Sequence, residues 1–421
     1  MIVINNKKQA NVFELFLFVL SMSFTPQYLS IDIRLFVYLF WIGLSIFRGG
    51  INKKILITKY SKLTFMTLMV LIFYTMFVVL ISSTGDHFIY LRYFRSLLAL
   101  IVIVFYANSV EVNMAKLINS ILLVLVFHAT IIVGEIINPN LRNYTVIFSG
   151  EARRFYQYRA NGLVNSYDLA GIYTIIGFLI TSLLYLKEKR TKFFFTMMLF
   201  MIATVFTSRL NIIFLIIAFL FILRESRKYK VIIFKIMSFM ILLVLVILGV
   251  GLWAMTTDTF PLMREYVFSK PWANEVYWVV RNTYSDDNIL NIITTHYGTG
   301  IITAKEFLFG SGVEGNVDPG YSKIFSSIGI LGLIIIMMYY LYLYLHLFGS
   351  KLKINRDKRS VDYIIINVIF LVIFIGNLKI QYFFSTSLFE LFSILILVYE
   401  TNIINIRHYK GSLIRLKNLG R

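Results

Sequence analysis

Phe193–Leu223 reads FFFTMMLFMIATVFTSRLNIIFLIIAFLFIL, 31 residues in which the single charge is Arg209. As one helix it would run about 46 Å, far beyond a hydrocarbon layer of roughly 30 Å. Thr207-Ser208-Arg209 interrupts the run, so two short spans are predicted, 192–207 and 210–223, with Arg209 at the far turn between them. Comparable apolar stretches lie on either side, at 11–28, 33–48, 61–82, 93–110, 114–137, 169–186, 231–255, 322–347, 361–378 and 384–405. The expected fold is therefore all-α: a polytopic integral membrane helical bundle of about 12 transmembrane helices, one transmembrane domain over residues 1–421. Phe13–Phe24 lacks a small-x-small cleavage site and is expected to remain as the first helix.

Composition agrees with that reading. Of the 421 residues 58% are hydrophobic and only 15% charged, and the mean hydropathy is +0.77, which excludes an ordinary soluble core. Cysteine is absent, so disulfides and thiolate metal sites are excluded, and the five histidines show no metal-ligand spacing. No metal and no cofactor is expected. The formal charge of +20 is distributed by side: with the N-terminus inside, 27 of the 41 basic residues but only six of the 21 acidic ones fall in inside connections. Such an excess of Lys and Arg orients a membrane protein, and it places both termini in the cytoplasm. It also removes any reason to expect nucleic acid as a partner. Inside connections are short and hold no Gly-x-x-x-x-Gly-Lys phosphate loop, so chemistry is expected on the outer face.

Two outer connections are long enough for it, a basic one at 138–168 and a larger one at 256–321 between the ninth and tenth spans. The first carries Arg142, Arg153, Arg154 and Arg159, and arginine near helix ends suits phosphate oxygens because its planar fork binds them in pairs. Snorkelling to the interface is the plainer reading of Arg153 and Arg154. Arg209, deep in the membrane, calls for an anionic partner, either a ligand or a structural ion pair. In the larger connection Ala273–Arg281 and Asp286–His296 read as short interfacial helices. Trp272, Trp278 and Tyr321 offer flat faces for sugar rings among carboxylates and amides, although aromatic belts also gather at this depth.

Four motifs in order carry a family resemblance. They are Arg159-x-Asn161-Gly-x-x-Asn165, Thr207-Ser208-Arg209, Gly310-x-Gly312 followed by Asp318-x-Gly-Tyr321 and Gly329-Ile-Leu-Gly332, and Lys379-x-Gln-x-Phe-Phe. Together, across about residues 90 to 400, the chain resembles the bacterial O-antigen and capsule repeat-unit polymerases, relatives of the O-antigen ligases. The resemblance implies metal-independent glycosyl transfer at the outer face of the cytoplasmic (inner) membrane. A glycan on undecaprenyl pyrophosphate would be the donor and a lipid-linked repeat unit the acceptor, with membrane lipid and a chain-length regulator protein as further partners to expect. Arg153, Arg159, Arg209, Arg281 and Arg95 would then hold the pyrophosphate, and His296 or Asp318 would take the proton from the acceptor hydroxyl. A ligase, or a lipid-linked oligosaccharide flippase, is the alternative; a flippase would show two similar halves, which this sequence lacks.

Overall fold

The computed structural model describes residues 9–24, 33–48, 57–82, 86, 88–149, 159–225, 303–313, 320–348, 361–377, 381–384 and 387–402. The chain divides into two compact units, Met1–Phe221 with Thr299–Arg421, and Ile222–Gly298. The second lies almost wholly outside the described residues, as does the expected span at 231–255. Among the described residues the structure is helical, with no strand beyond an isolated bridge between Gln9 and Glu111.

The helices are α1 Val12–Ser23, α2 Arg34–Phe47, α3 Lys59–Ile81, α4 Phe88–Ser109, α5 Met114–Ile137, α6 Leu141–Ser149, α7 Tyr167–Glu188, α8 Thr191–Val205 and α9 Arg209–Glu225. They continue with α10 Ala304–Phe309, α11 Gly320–Phe348, α12 Val361–Gly376 and a last helix, α13, over 388–402. Among the described residues five helices are long and apolar enough to cross a membrane: Lys59–Ile81, Ile89–Ser109, Met114–Ile137, Tyr167–Glu188 and Gly320–Phe348. Side chains at the starts fix several boundaries. Asn11, Thr58 and Asn113 each accept a backbone N–H from the first turn of the helix they precede.

Large apolar side chains on the rim are bare: Phe36, Phe40 and Phe47 on α2, Phe73 and Leu80 on α3, Met338 on α11. Such faces are unstable against water and suited to lipid, and the chain is a helical membrane protein. Acids buried within the helices have partners, as burial there requires, and Glu14 and Glu390 show this. Glu14 accepts from Arg48 and from Tyr106 OH (3.0 Å). Glu390 accepts from Tyr38 OH (2.5 Å) and Ser387 N–H (2.8 Å).

At the centre stands α7, where 94% of the most apolar 18-residue stretch is buried, against 39% for α3. It packs closely on α8 because small residues line the contact. Thr174 shares a hydrogen bond with Thr204 (2.8 Å), and a Cβ at Gly177 would lie 2.3 Å from the Phe200 ring. Close backbone approach through small residues is how helices associate where no hydrophobic force separates lipid from protein.

Two features differ from the sequence expectation. The connection at 138–168 contains a helix of its own, α6, started by Asn138-Pro139-Asn140 and anchored by Arg142, which is buried. The tenth predicted span is not continuous: at Gly329 the backbone of α11 turns out of helical geometry (φ 66°, ψ −175°). The carbonyls of Ser326, Ser327 and Ile328 are taken up by Ser311 N–H (2.8 Å), Gly312 N–H (3.1 Å) and Tyr74 OH (2.8 Å). A membrane helix can break only where its freed polar groups are met in this way.

Candidate functional site

The break in the opening stretch lies where predicted: α8 ends at Val205 and α9 begins at Arg209. Phe206 then offers its carbonyl to the N–H of Ala160 (2.9 Å). This bond joins two motifs far apart in sequence, Arg159-x-Asn161-Gly and Thr207-Ser208-Arg209, at the same end of α7. The Arg159 guanidinium carbon lies over the ring of Tyr167, 6.0 Å from the centroid. Asn211, fully buried in the first turn of α9, donates to Tyr167 O (3.3 Å) and Asp168 O (3.2 Å). It reaches them because residue 171 is glycine; a Cβ there would lie 1.8 Å from Asn211 Nδ2.

The turn carrying Arg159 is gripped from the other side by α5. Gly162, in left-handed geometry (φ 56°), donates its N–H to Glu135 Oε2 (3.2 Å), while Leu163 N–H donates to His128 Nδ1 (3.2 Å). Within the turn Asn161 Nδ2 donates to Val164 O (2.7 Å). The glycine and the amide thus serve the turn itself.

A second arginine pair borders the turn between α12 and α13. Arg92 on α4 donates to the side-chain oxygen of Gln381, and Arg95 stands one turn further along the helix. Asn377, fully buried, closes this turn by accepting from Tyr382 N–H (2.9 Å) and Phe383 N–H (3.3 Å). Tyr321, in the first turn of α11, stacks edge-on against Phe383 and donates its hydroxyl to Phe374 O (2.9 Å). Asp168, beside Tyr167, acts electrostatically on Tyr382 of the same turn. Residues 381–384 therefore have neighbours on α4, α7 and α11.

Of the residues expected to form a site, Arg95, Arg159 and Tyr321 have described side chains; Arg159 and Tyr321 border this end of the bundle, and Arg95 lies on α4 near Arg92. Arg209 is described in backbone only, as the first residue of α9, and its side chain lies outside the described residues. Arg153, Arg281, Trp272, Trp278, His296 and Asp318 lie outside the described residues, as does Lys379. Sequence reasoning passed over Arg92, Glu135, His128 and Asn211. Asn211 was within reach of it, being a lone amide in an apolar run two residues beyond a helix break. What the arrangement can offer chemically is a guanidinium beside Tyr167, the first residue of α7, a pairing of cation and helix N-terminus suited to phosphate oxygens. No family model matches the chain, and no curated protein matches it.

Proposed function

We propose that the chain is a glycosyltransferase that polymerises undecaprenyl-pyrophosphate-linked oligosaccharide repeat units on the outer face of the bacterial cytoplasmic membrane. In this reading it has twelve spans with both termini inside. The acceptor hydroxyl attacks the anomeric carbon of the donor glycan, the carbon–oxygen bond to pyrophosphate breaks, and His296 or Asp318 takes the hydroxyl proton. The arginines Arg153, Arg159, Arg209, Arg281 and Arg95 stabilise the charge that grows on the departing pyrophosphate. The observation that carries the reading is the Ala160–Phe206 hydrogen bond, through which the turn of Arg159 and the helix start of Arg209 share one end of the bundle. Motifs singled out for one chemistry have no reason to meet if each is a separate interfacial anchor.

Arg159→Ala and Arg209→Ala should each cut glycan polymerisation by roughly a hundredfold or more, the scale for one charge-stabilising donor. Gel analysis of surface glycan checks this: long chains should vanish while the protein stays at its normal membrane level. An undisturbed ladder in both variants would discard the assignment. Deletion of the gene separates the alternatives, since a single repeat unit on its normal anchor indicates a polymerase and none indicates a ligase or flippase.

A further inference from the structure

Glu135 is a carboxylate inside a span, fully buried, and no step of the reaction just described uses it. Its two oxygens are divided. Oε1 accepts from Thr145 Oγ1 of α6 (2.6 Å), and Oε2 accepts from Gly162 N–H (3.2 Å), with buried Arg142 acting on it electrostatically. An apolar side chain packed in that position would hold α5 in the bundle at least as well, because an acid taken out of water recovers little net stability from the partners it then finds. What an apolar residue could not do is select one conformation of a loop. Gly162 is confined in other ways too: its φ is positive, and a Cβ would stand 2.9 Å from the His128 ring.

We propose that Glu135 is the positioning residue of the Arg159 turn. By holding the Gly162 N–H from within α5, it fixes where Ala160 meets Phe206 and hence where Arg159 stands beside the start of α9. Arg142 and Thr145 orient the carboxylate, so α6 belongs to the device. The consequence for glycan synthesis rests on the function proposed above; the consequence for the turn does not.

Because the chain has no cysteine, a single introduced thiol reports cleanly. Val164 is buried in the turn, so Val164→Cys in membranes holding the full-length protein should react slowly with a small maleimide. Adding Glu135→Ala should speed the reaction by about tenfold, the scale of one lost charge-assisted hydrogen bond. Glu135→Gln should stay near the parent rate, since its amide oxygen can still accept from Gly162 and its NH2 can donate to Thr145. An unchanged rate with Ala, or equal acceleration with Gln and Ala, overturns the proposal. Should Glu135→Ala fail to accumulate, Gly162→Ala attacks the same contact from the loop side and should give the same acceleration; no acceleration overturns it equally. In the glycan assay Glu135→Ala should shorten chains as Arg159→Ala does, and the double variant no further, whereas additive losses would show that Glu135 acts other than through Arg159. If Arg159→Ala and Arg209→Ala both leave chains normal while the thiol rate responds, the functional reading falls and the positioning of the turn stands.

Discussion

At the scale of single residues, glycine at 171 decides whether α9 can dock on α7. A Cβ there would meet Asn211 Nδ2 at 1.8 Å, Asn211 Cγ at 2.2 Å and Thr207 Oγ1 at 2.6 Å, so Asn211 would have to leave its bonds to Tyr167 O and Asp168 O. Overpacking of this kind costs about 1–3 kcal/mol. Gly171→Ala should therefore lower the melting temperature of the detergent-solubilised protein by several degrees, and adding Asn211→Ala should return part of the loss because the obstructing amide is gone. Strictly additive losses would refute the contact. Gly43→Ala is the internal control, for nothing lies within 4 Å of a Cβ at that position. Of these residues the sequence displays the break at Thr207-Ser208-Arg209 and the glycine and amide of the Arg159 turn. It conceals Glu135 and His128, which sit among apolar neighbours in α5 and give no sign of which loop they will meet. Partners of that kind are settled by tertiary contact alone.

At the scale of elements, helix positions among the described residues were legible because apolar runs of membrane length stand out from polar connections, and the ends of α5 and α12 fall at or near their expected positions. The interruption of α11 was not legible. Gly329-Ile-Leu-Gly332 reads as a small-residue face inside an apolar helix, and only the strap opposite shows otherwise. Gly310 and Gly329 approach so closely that a Cβ on Gly329 would stand 2.3 Å from Leu308 O, and one on Gly310 2.5 Å from Ile328 N. Gly329→Ala must add this clash to a backbone with φ 66°, strain worth about 1–3 kcal/mol before any repacking. It should loosen the strap, read as faster maleimide labelling of a thiol placed by Ser311→Cys. Gly332→Ala lacks the φ strain but crowds Ile328, with Cδ1 and Cγ1 at 2.5 Å and Cβ at 2.8 Å, and should loosen the strap less than Gly329→Ala. Equal behaviour of the two variants would show that the break does not depend on Gly329.

At the scale of the whole molecule, apolar content finds the spans and cannot rank them. The spans α3 and α7 are alike in length, yet α7 is enclosed and α3 largely faces outward. What separates them is the small-residue series Gly171, Thr174, Gly177 and Thr181 on α7, set against Phe65, Met66, Phe73 and Phe77 on α3. Sidedness rests on a different quantity, the charge in the connections. Anionic lipid and the insertion machinery hold Lys and Arg in the cytoplasm, so the orientation expected from the sequence is the one that puts 27 basic residues on the inner side and 14 on the outer. If that sorting governs insertion, a thiol at Asn316 faces outward and one at Asn355 faces the cytoplasm. In intact cells an impermeant thiol reagent should then modify Asn316→Cys and spare Asn355→Cys until the membrane is opened. The reversed pattern would turn the molecule over and carry the end of α7 that gathers Arg159 and Arg209 to the cytoplasmic face. A lipid-linked glycan already moved outward could not be processed there, so this one measurement bears on the proposed reaction as well as on the fold.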